Sequence, residues 1–198
     1  MSLIVRDKNF YKKVLAIAIP IALQNMVTSA VGMLDTIMLG QLGEVAMSAS
    51  SLANQVGFIF QMINFGLTGG AGILPSHYWG RGDSDSIRRV MSLTYRISMS
   101  VAVLFAIGAT FFPEMLMRIF TNDEAIIYEG IRYLNYCGVI YLANAFTITT
   151  TSILRTVGTV KIALFSTVAS LLVNAFFNYV LIFGKLGMPQ MGVAGAAL

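Results

Sequence analysis

Charge is scarce in this sequence. Asp, Glu, Lys and Arg together make up 11% of 198 residues, against roughly 25% in ordinary globular domains. A soluble fold of this length could not cover its surface with so few charges. The single cysteine, Cys137, excludes a disulfide framework or a metal cluster within one chain. The single histidine, His77, is too little for a metal site and reads as a packed or interfacial residue. There is no phosphate-binding P-loop, no Gly-x-Ser-x-Gly elbow and no His-Glu-x-x-His. Nothing therefore supports ATP hydrolysis, and no nucleophile–base or metal-ligand set supports an enzyme.

What is present is apolar. Hydrophobic residues make up 57% and the mean hydropathy is +0.76. They fall in blocks of bilayer length, about 20 residues each. Arg6, Lys8, Lys12 and Lys13 precede the first block like the positive start of a signal peptide. The apolar run that follows reaches from Val14 to about Leu39, beyond the roughly 7–15 residues of such a peptide, and further spans follow it. It predicts a first transmembrane helix. The pI near 9.3 does not signal nucleic acid, because the basic residues are confined to short connectors and form no basic helix or aromatic-interleaved patch. The expected partner is the lipid bilayer.

The patterning predicts an all-α polytopic bundle of five full helices and the start of a sixth. Helix one is expected over Val14–Gly40, with Pro20 near its start, and helix two over Val45–Trp79, bent by the Gly66–Gly72 section and Pro75. After a charged turn at 80–85, helix three is expected over Ile87–Phe112, ending at Pro113. Glu114–Asp123 alternates apolar and charged residues, as a short interfacial helix does. Helix four is expected over Ala125–Leu154 and helix five over Val160–Phe183. The run Gly192–Leu198 reads as the opening of helix six, which implies a fragment truncated within that helix and an absent second half. No repeat of fixed period is visible inside the chain.

Basic residues set the expected orientation. The N-terminal tail and the turns at 80–89 and 155–161 hold Arg6, Lys8, Lys12, Lys13, Arg81, Arg88, Arg89, Arg155 and Lys161. The opposite connectors hold Arg118, Lys185 and, at the margin, Arg132. Nine against three places the N-terminus in the cytoplasm of a multi-pass protein of the cell membrane.

Eight of the nine acidic residues fall in tails, turns or interfacial segments; Asp35 falls in the outer third of helix one. An ionisable group at that depth must be paired, hydrated or protonated, and is a functional candidate by default. Desolvation would raise its pKa toward neutrality. The alternative is a helix-end carboxylate wetted from outside. Gln24, Thr28, Gly32 or Val31, and Asp35 form a polar or small stripe, since positions 24 and 35 lie within about 20° of one another on an α-helix. Thr167, Ser170, Asn174 and Asn178 repeat the rhythm on helix five, as do Asn144, Thr147 and Thr151 on helix four.

Such stripes must face inward. They serve either interhelical hydrogen bonds, about 0.6–2 kcal/mol each, or a wet cavity in which Asp35 meets the amide oxygens of Asn174 and Asn178. A carboxylate with carbonyl oxygens suits a proton or Na⁺. Gln24, Thr28, Thr147, Thr151 and Ser170 are the candidate lining of a substrate cavity. The 12 Met and 13 Phe could line an adaptable pocket, though lipid-facing packing accounts for them as well. Arg81-Gly82-Asp83 spells a cell-adhesion tripeptide but lies in an expected cytoplasmic turn, and is taken as coincidence.

Six segments in order resemble the multidrug and toxic compound extrusion (MATE) family, which shares a superfamily with lipid-linked oligosaccharide flippases. They are Ala18–Asn25, Asp35–Gly43, Ser76–Asp83, Leu154–Thr159, Asn174–Tyr179 and Gly192–Ala197. The resemblance implies a 12-helix transporter of two six-helix lobes, of which residues 1–198 are the N-terminal lobe. It implies export of cationic or amphipathic compounds against H⁺ or Na⁺, with no cofactor beyond that ion. Asp35 matches the family's first-helix cation-site aspartate, Asn174 and Asn178 its fifth-helix Asn-x-x-x-Asp/Asn element, and Tyr133 a fourth-helix tyrosine. Asn178 stands where many members carry a second carboxylate, which puts the ion and its stoichiometry in doubt. The implied partners are a small-molecule substrate and the missing C-terminal lobe. Two rival readings remain: a flippase for a lipid-linked precursor, toward which Arg96 within helix three would tip the balance, and a non-transporting receptor or scaffold.

Overall fold

The computed structural model describes residues 8–41, 43–184 and 187–188; the side chains of Lys13, Asp35, residues 160–163 and Phe183 are outside the description. The expected sixth-helix opening and Lys185 also lie outside the described residues. Among the described residues seven helices follow in order: α1 (Lys8–Gly40), α2 (Glu44–Ala71), α3 (Ile73–Gly80), α4 (Ser84–Phe111), α5 (Pro113–Arg118), α6 (Glu124–Thr156) and α7 (Val160–Phe183). Among the described residues there is no strand. Five stretches of the described residues are long and apolar enough to cross a membrane, with α2 and α3 counted as one.

The expected helix five coincides with α7. Helix one starts earlier than expected, at Lys8, because Lys8 and Lys12 are good helix formers that carry the pattern outward from the apolar run. The expected bend in helix two is a break at Gly72. Gly72 still donates to the Thr68 carbonyl at 2.9 Å, but Pro75 has no N–H to give the Ala71 carbonyl, so the ladder lapses there. Pro113 opens α5, where a missing N–H is harmless; that helix is shorter than expected. Asp83 caps α4 by accepting from the Ser86 amide at 3.0 Å. Hydrogen bonds from Ser86, side chain before backbone, hold its carboxyl below the usual carboxylate range. Asp123 caps α6 through Ala125 and Ile126. Gly158, at φ 77°, reverses the chain between α6 and α7.

The packing centre lies among α2, α4 and α6. Phe60, Phe105 and Tyr141 form an aromatic cluster with ring centroids 5.0–6.0 Å apart. Around it, Ala53, Ala102, Ala109 and Ala145 are fully buried, since small residues let helix backbones approach where lipid supplies no hydrophobic drive. Two buried polar residues lock α2 to α4: Ser98 donates to Asn64 Oδ1 at 2.5 Å. Outside this trio, α1 lies along α7, with lesser contacts from α1 to α2 and from α7 to α6. Large apolar side chains such as Phe65, Val139 and Phe165 are more than 70% exposed, as expected of surfaces that meet lipid or another part of the protein.

The α4–α6 approach depends on Gly138. A Cβ there would stand 2.6 Å from Thr110 Oγ1 and 3.5 Å from the Ala106 carbonyl oxygen. Gly138→Ala should therefore cost on the order of 1–3 kcal/mol and lower the melting temperature in detergent. Adding Thr110→Ala should restore most of the loss; a Gly138→Ala protein as stable as the parent would contradict this packing.

Candidate functional site

The polar stripes of the helices open onto three hollows. The first, about 590 Å³, lies between α1 and α2 with Tyr133 of α6 in its wall. Thr28, Gly32, Thr36 and Leu39 face it from α1; Ser50, Ser51, Asn54, Gln55, Phe58 and Gln61 face it from α2. The Tyr133 hydroxyl donates to Asn54 Oδ1 at 3.1 Å, tying α6 to α2.

The second hollow, about 460 Å³, is lined from α1, α2, α6 and α7. Gln24, Thr147 and Thr151 meet there, together with Arg155 and Thr167. Gln24 is 8% exposed and bridges two helices. Its amide nitrogen donates to Thr167 Oγ1 at 2.6 Å, and its carbonyl oxygen accepts from Arg155 Nη2 at 2.5 Å. Phe58 and Gln61 line both hollows, so the two adjoin along one face of α2. The third, about 660 Å³, is a groove whose described lining comes from α7, with Ser170, Asn174 and Asn178 in it. Asn178 is 1% exposed and donates to Asn174 Oδ1 at 3.2 Å.

The expected site residues are thus distributed. Gln24, Thr147 and Thr151 come together in the second hollow, Thr28 and Tyr133 in the first, and Ser170, Asn174 and Asn178 in the α7 groove. Asp35 lies within α1, between the hollow-lining Gly32 and Leu39; its side chain is outside the description. The Thr28 and Thr147 hydroxyls donate to carbonyls of their own helices, Gln24 at 3.0 Å and Ala143 at 2.9 Å, leaving their lone pairs to face the hollows.

Sequence reasoning missed the α2 wall. Ser51, Asn54, Gln55, Phe58, Gln61, Met62, Phe65, Thr68 and Gly69 follow the same three-and-four spacing as the stripes it did find, so the signal was present. It also put Arg155 in a connector, whereas α6 continues through Thr156 and turns that guanidinium toward α1. Arg96, by contrast, is exposed on α4 and lines none of these hollows.

Among the described residues no group of three His, Cys, Asp or Glu side chains is placed to hold a metal ion. Among the described residues the hollows offer hydroxyls, amides, one guanidinium and aromatic rings, a lining suited to binding a small molecule.

The MatE family model matches residues 20–180. The chain belongs to the MatE family. As a MatE chain it is similar to a probable multidrug resistance protein NorM of Thermotoga maritima, 29% identical over 190 residues, covering 94% of this chain and 40% of that protein. A NorM of Synechocystis gives the same figures. An uncharacterized transporter YisQ of Bacillus subtilis is 25% identical, covering 97% of this chain and 42% of that protein. The chain thus spans about 40% of the length of these relatives.

Two solved structures share the fold. An outward-facing multidrug resistance MATE family transporter superposes with a TM-score of 0.84 at 20% identity. A MOP superfamily transporter from Pyrococcus furiosus, described as having a binding pocket of reversed polarity, superposes at 0.83 and 20% identity. Each match covers 94% of this chain and 40% of its counterpart.

Gln24 is the joint between α1, α6 and α7. Gln24→Leu leaves Arg155 without its amide acceptor and should destabilise the protein by about 1–3 kcal/mol, read as a lower melting temperature. Gln24→Glu keeps an acceptor and should fall less. Equal melting of the parent and Gln24→Leu would contradict the bridge.

Proposed function

We propose that this chain is the N-terminal lobe of a cation-driven secondary antiporter that exports amphipathic organic compounds across the cell membrane. Membership of the MatE family and the multi-pass helical fold support transport. The observation that carries the reading is the pair of adjoining hollows on the inward faces of α1, α2 and α6, lined by uncharged polar groups and aromatic rings. Helices built only to pack would have closed that space. A second lobe, contributed by sequence beyond these residues, would face them and complete the cargo chamber. The nine-to-three bias of basic residues supports a cytoplasmic N-terminus.

In this reading Asp35 carries the coupling H⁺ or Na⁺. It stands seven residues, about two turns, after Thr28 on the helix that walls the first hollow. A carboxylate held in that setting exchanges a proton or small cation at a cost that depends on how wet the hollow is. Tyr133, Asn174 and Asn178 would supply oxygen ligands or orient them. Cargo would occupy the space bounded by Gln24, Thr28, Thr147, Thr151 and Ser170. Ion occupancy drives rocking between inward-open and outward-open states only if the ion binds the two unequally.

A flippase for a lipid-linked precursor is the second reading, favoured by one feature, the Arg155 guanidinium in the second hollow, since such cargo carries phosphates.

The test is gradient-driven dye efflux by the full-length protein in proteoliposomes. Asp35→Asn should lower efflux at least tenfold under either a proton or a sodium gradient while leaving folding intact. Efflux at the parent rate would remove the mechanism.

A further inference from the structure

Arg155 stands out among the residues of the hollows. Of the described side chains lining all three, it alone is charged at neutral pH. The ion pairs formed by arginines among the described residues involve Arg118 and Arg132 with Glu114, Glu124 and Glu129, and none involves Arg155. Among the described residues its hydrogen-bond partner is the neutral oxygen of Gln24, and its Nε–H is buried with no acceptor there. Among the described residues no carboxylate meets this half-buried guanidinium, so it presents a positive charge to a cavity between transmembrane helices.

Its surroundings define what would compensate it. Asn25, Thr151 and Ser152 offer hydrogen bonds close by, while Phe58, Met62 and Phe65 form an apolar wall across the same hollow. A purely cationic cargo would bring like charge to this position. An acid on an aromatic body would match both features, since a planar guanidinium suits a carboxylate, sulfonate or phosphate. Gln24, held between Arg155 and Thr167, is the positioning residue that fixes the fork.

We propose that Arg155 forms an anion subsite in the cargo hollow, so that the protein selects small amphipathic organic acids or zwitterions over the corresponding cations. The proposal rests on the reading of this hollow as part of the cargo path. In the orientation given above, Arg155 stands at the cytoplasmic end, where cargo would enter.

The test compares equilibrium binding of two dyes to the purified full-length protein by fluorescence polarisation. Rhodamine 110 carries a free carboxylate, and rhodamine 123 is its methyl ester; the dyes are otherwise the same. Rhodamine 110 should bind at least tenfold more tightly, and the preference should shrink with added salt. Arg155→Gln should abolish the preference and Arg155→Lys should keep part of it. Equal or reversed affinities in the parent protein would overturn the proposal; a carboxylate from elsewhere in the protein pairing with Arg155 would give that result. So would an equal loss of both dyes in a folded Arg155→Gln protein. If Arg155→Gln does not fold, the acid-to-ester ratio of the parent decides alone. Displacement of rhodamine 110 by equimolar dihexanoyl-phosphatidylglycerol would assign the guanidinium to a lipid headgroup and overturn the organic-acid assignment; resistance would support it. Binding is read without a gradient, so absence of efflux would count against export and leave this ratio standing.

Discussion

A hydrogen-bonding side chain on a membrane-spanning helix has to meet another polar group or water, because acyl chains offer neither. That constraint organises this molecule. Where two stripes meet directly, they are closed by side-chain bonds, as Ser98 and Asn64 are between α4 and α2. Where they stand apart, as α1 and α2 do, the space between is lined with hydroxyls and amides. The same chemistry therefore serves both cohesion and access, and helix spacing decides which. Small residues at 102, 109, 138 and 145 draw α4 and α6 together, while α1 leans on α7 and leaves its other face open.

The two adjoining hollows divide the polar groups by character. The first gathers neutral oxygens and amides around Tyr133 and Asn54, on the part of α1 that contains Asp35. The second gathers a guanidinium and its amide clamp. Gln24 touches both α6 and α7, so a change in the seating of Arg155 would be transmitted to the helix bearing Asn174 and Asn178.

Much of the fold was legible because apolar run length and Gly–Pro punctuation are strong signals in a membrane chain. The bounds of α7 came directly from them, and they marked where the second span departs from a straight helix, as a bend where the structure has a break. Stripe residues were legible one helix at a time, since three-and-four spacing fixes which side chains share a face. What spacing does not fix is which neighbour that face meets. Hence Asn174 and Asn178 line a groove apart from the hollow that holds Tyr133. Arg155 was assigned to a turn because a lone arginine after an apolar run looks like a helix end, and only the turn geometry at Gly158 shows that α6 runs past it.

The central claim is that the inward faces of α1 and α6 are wet. Single cysteines at Thr28 and Thr151, in a Cys137→Ala background of the full-length protein in membranes, can be challenged with a membrane-impermeant thiosulfonate from both sides. Val139 and Phe165, exposed, apolar and outside both hollows, serve as controls. Thr28→Cys and Thr151→Cys should react at least tenfold faster than Val139→Cys and Phe165→Cys, and cargo should slow them. Reaction of all four at the slow rate of the controls would mean that these faces are dry, and the cavity would not be a transport path.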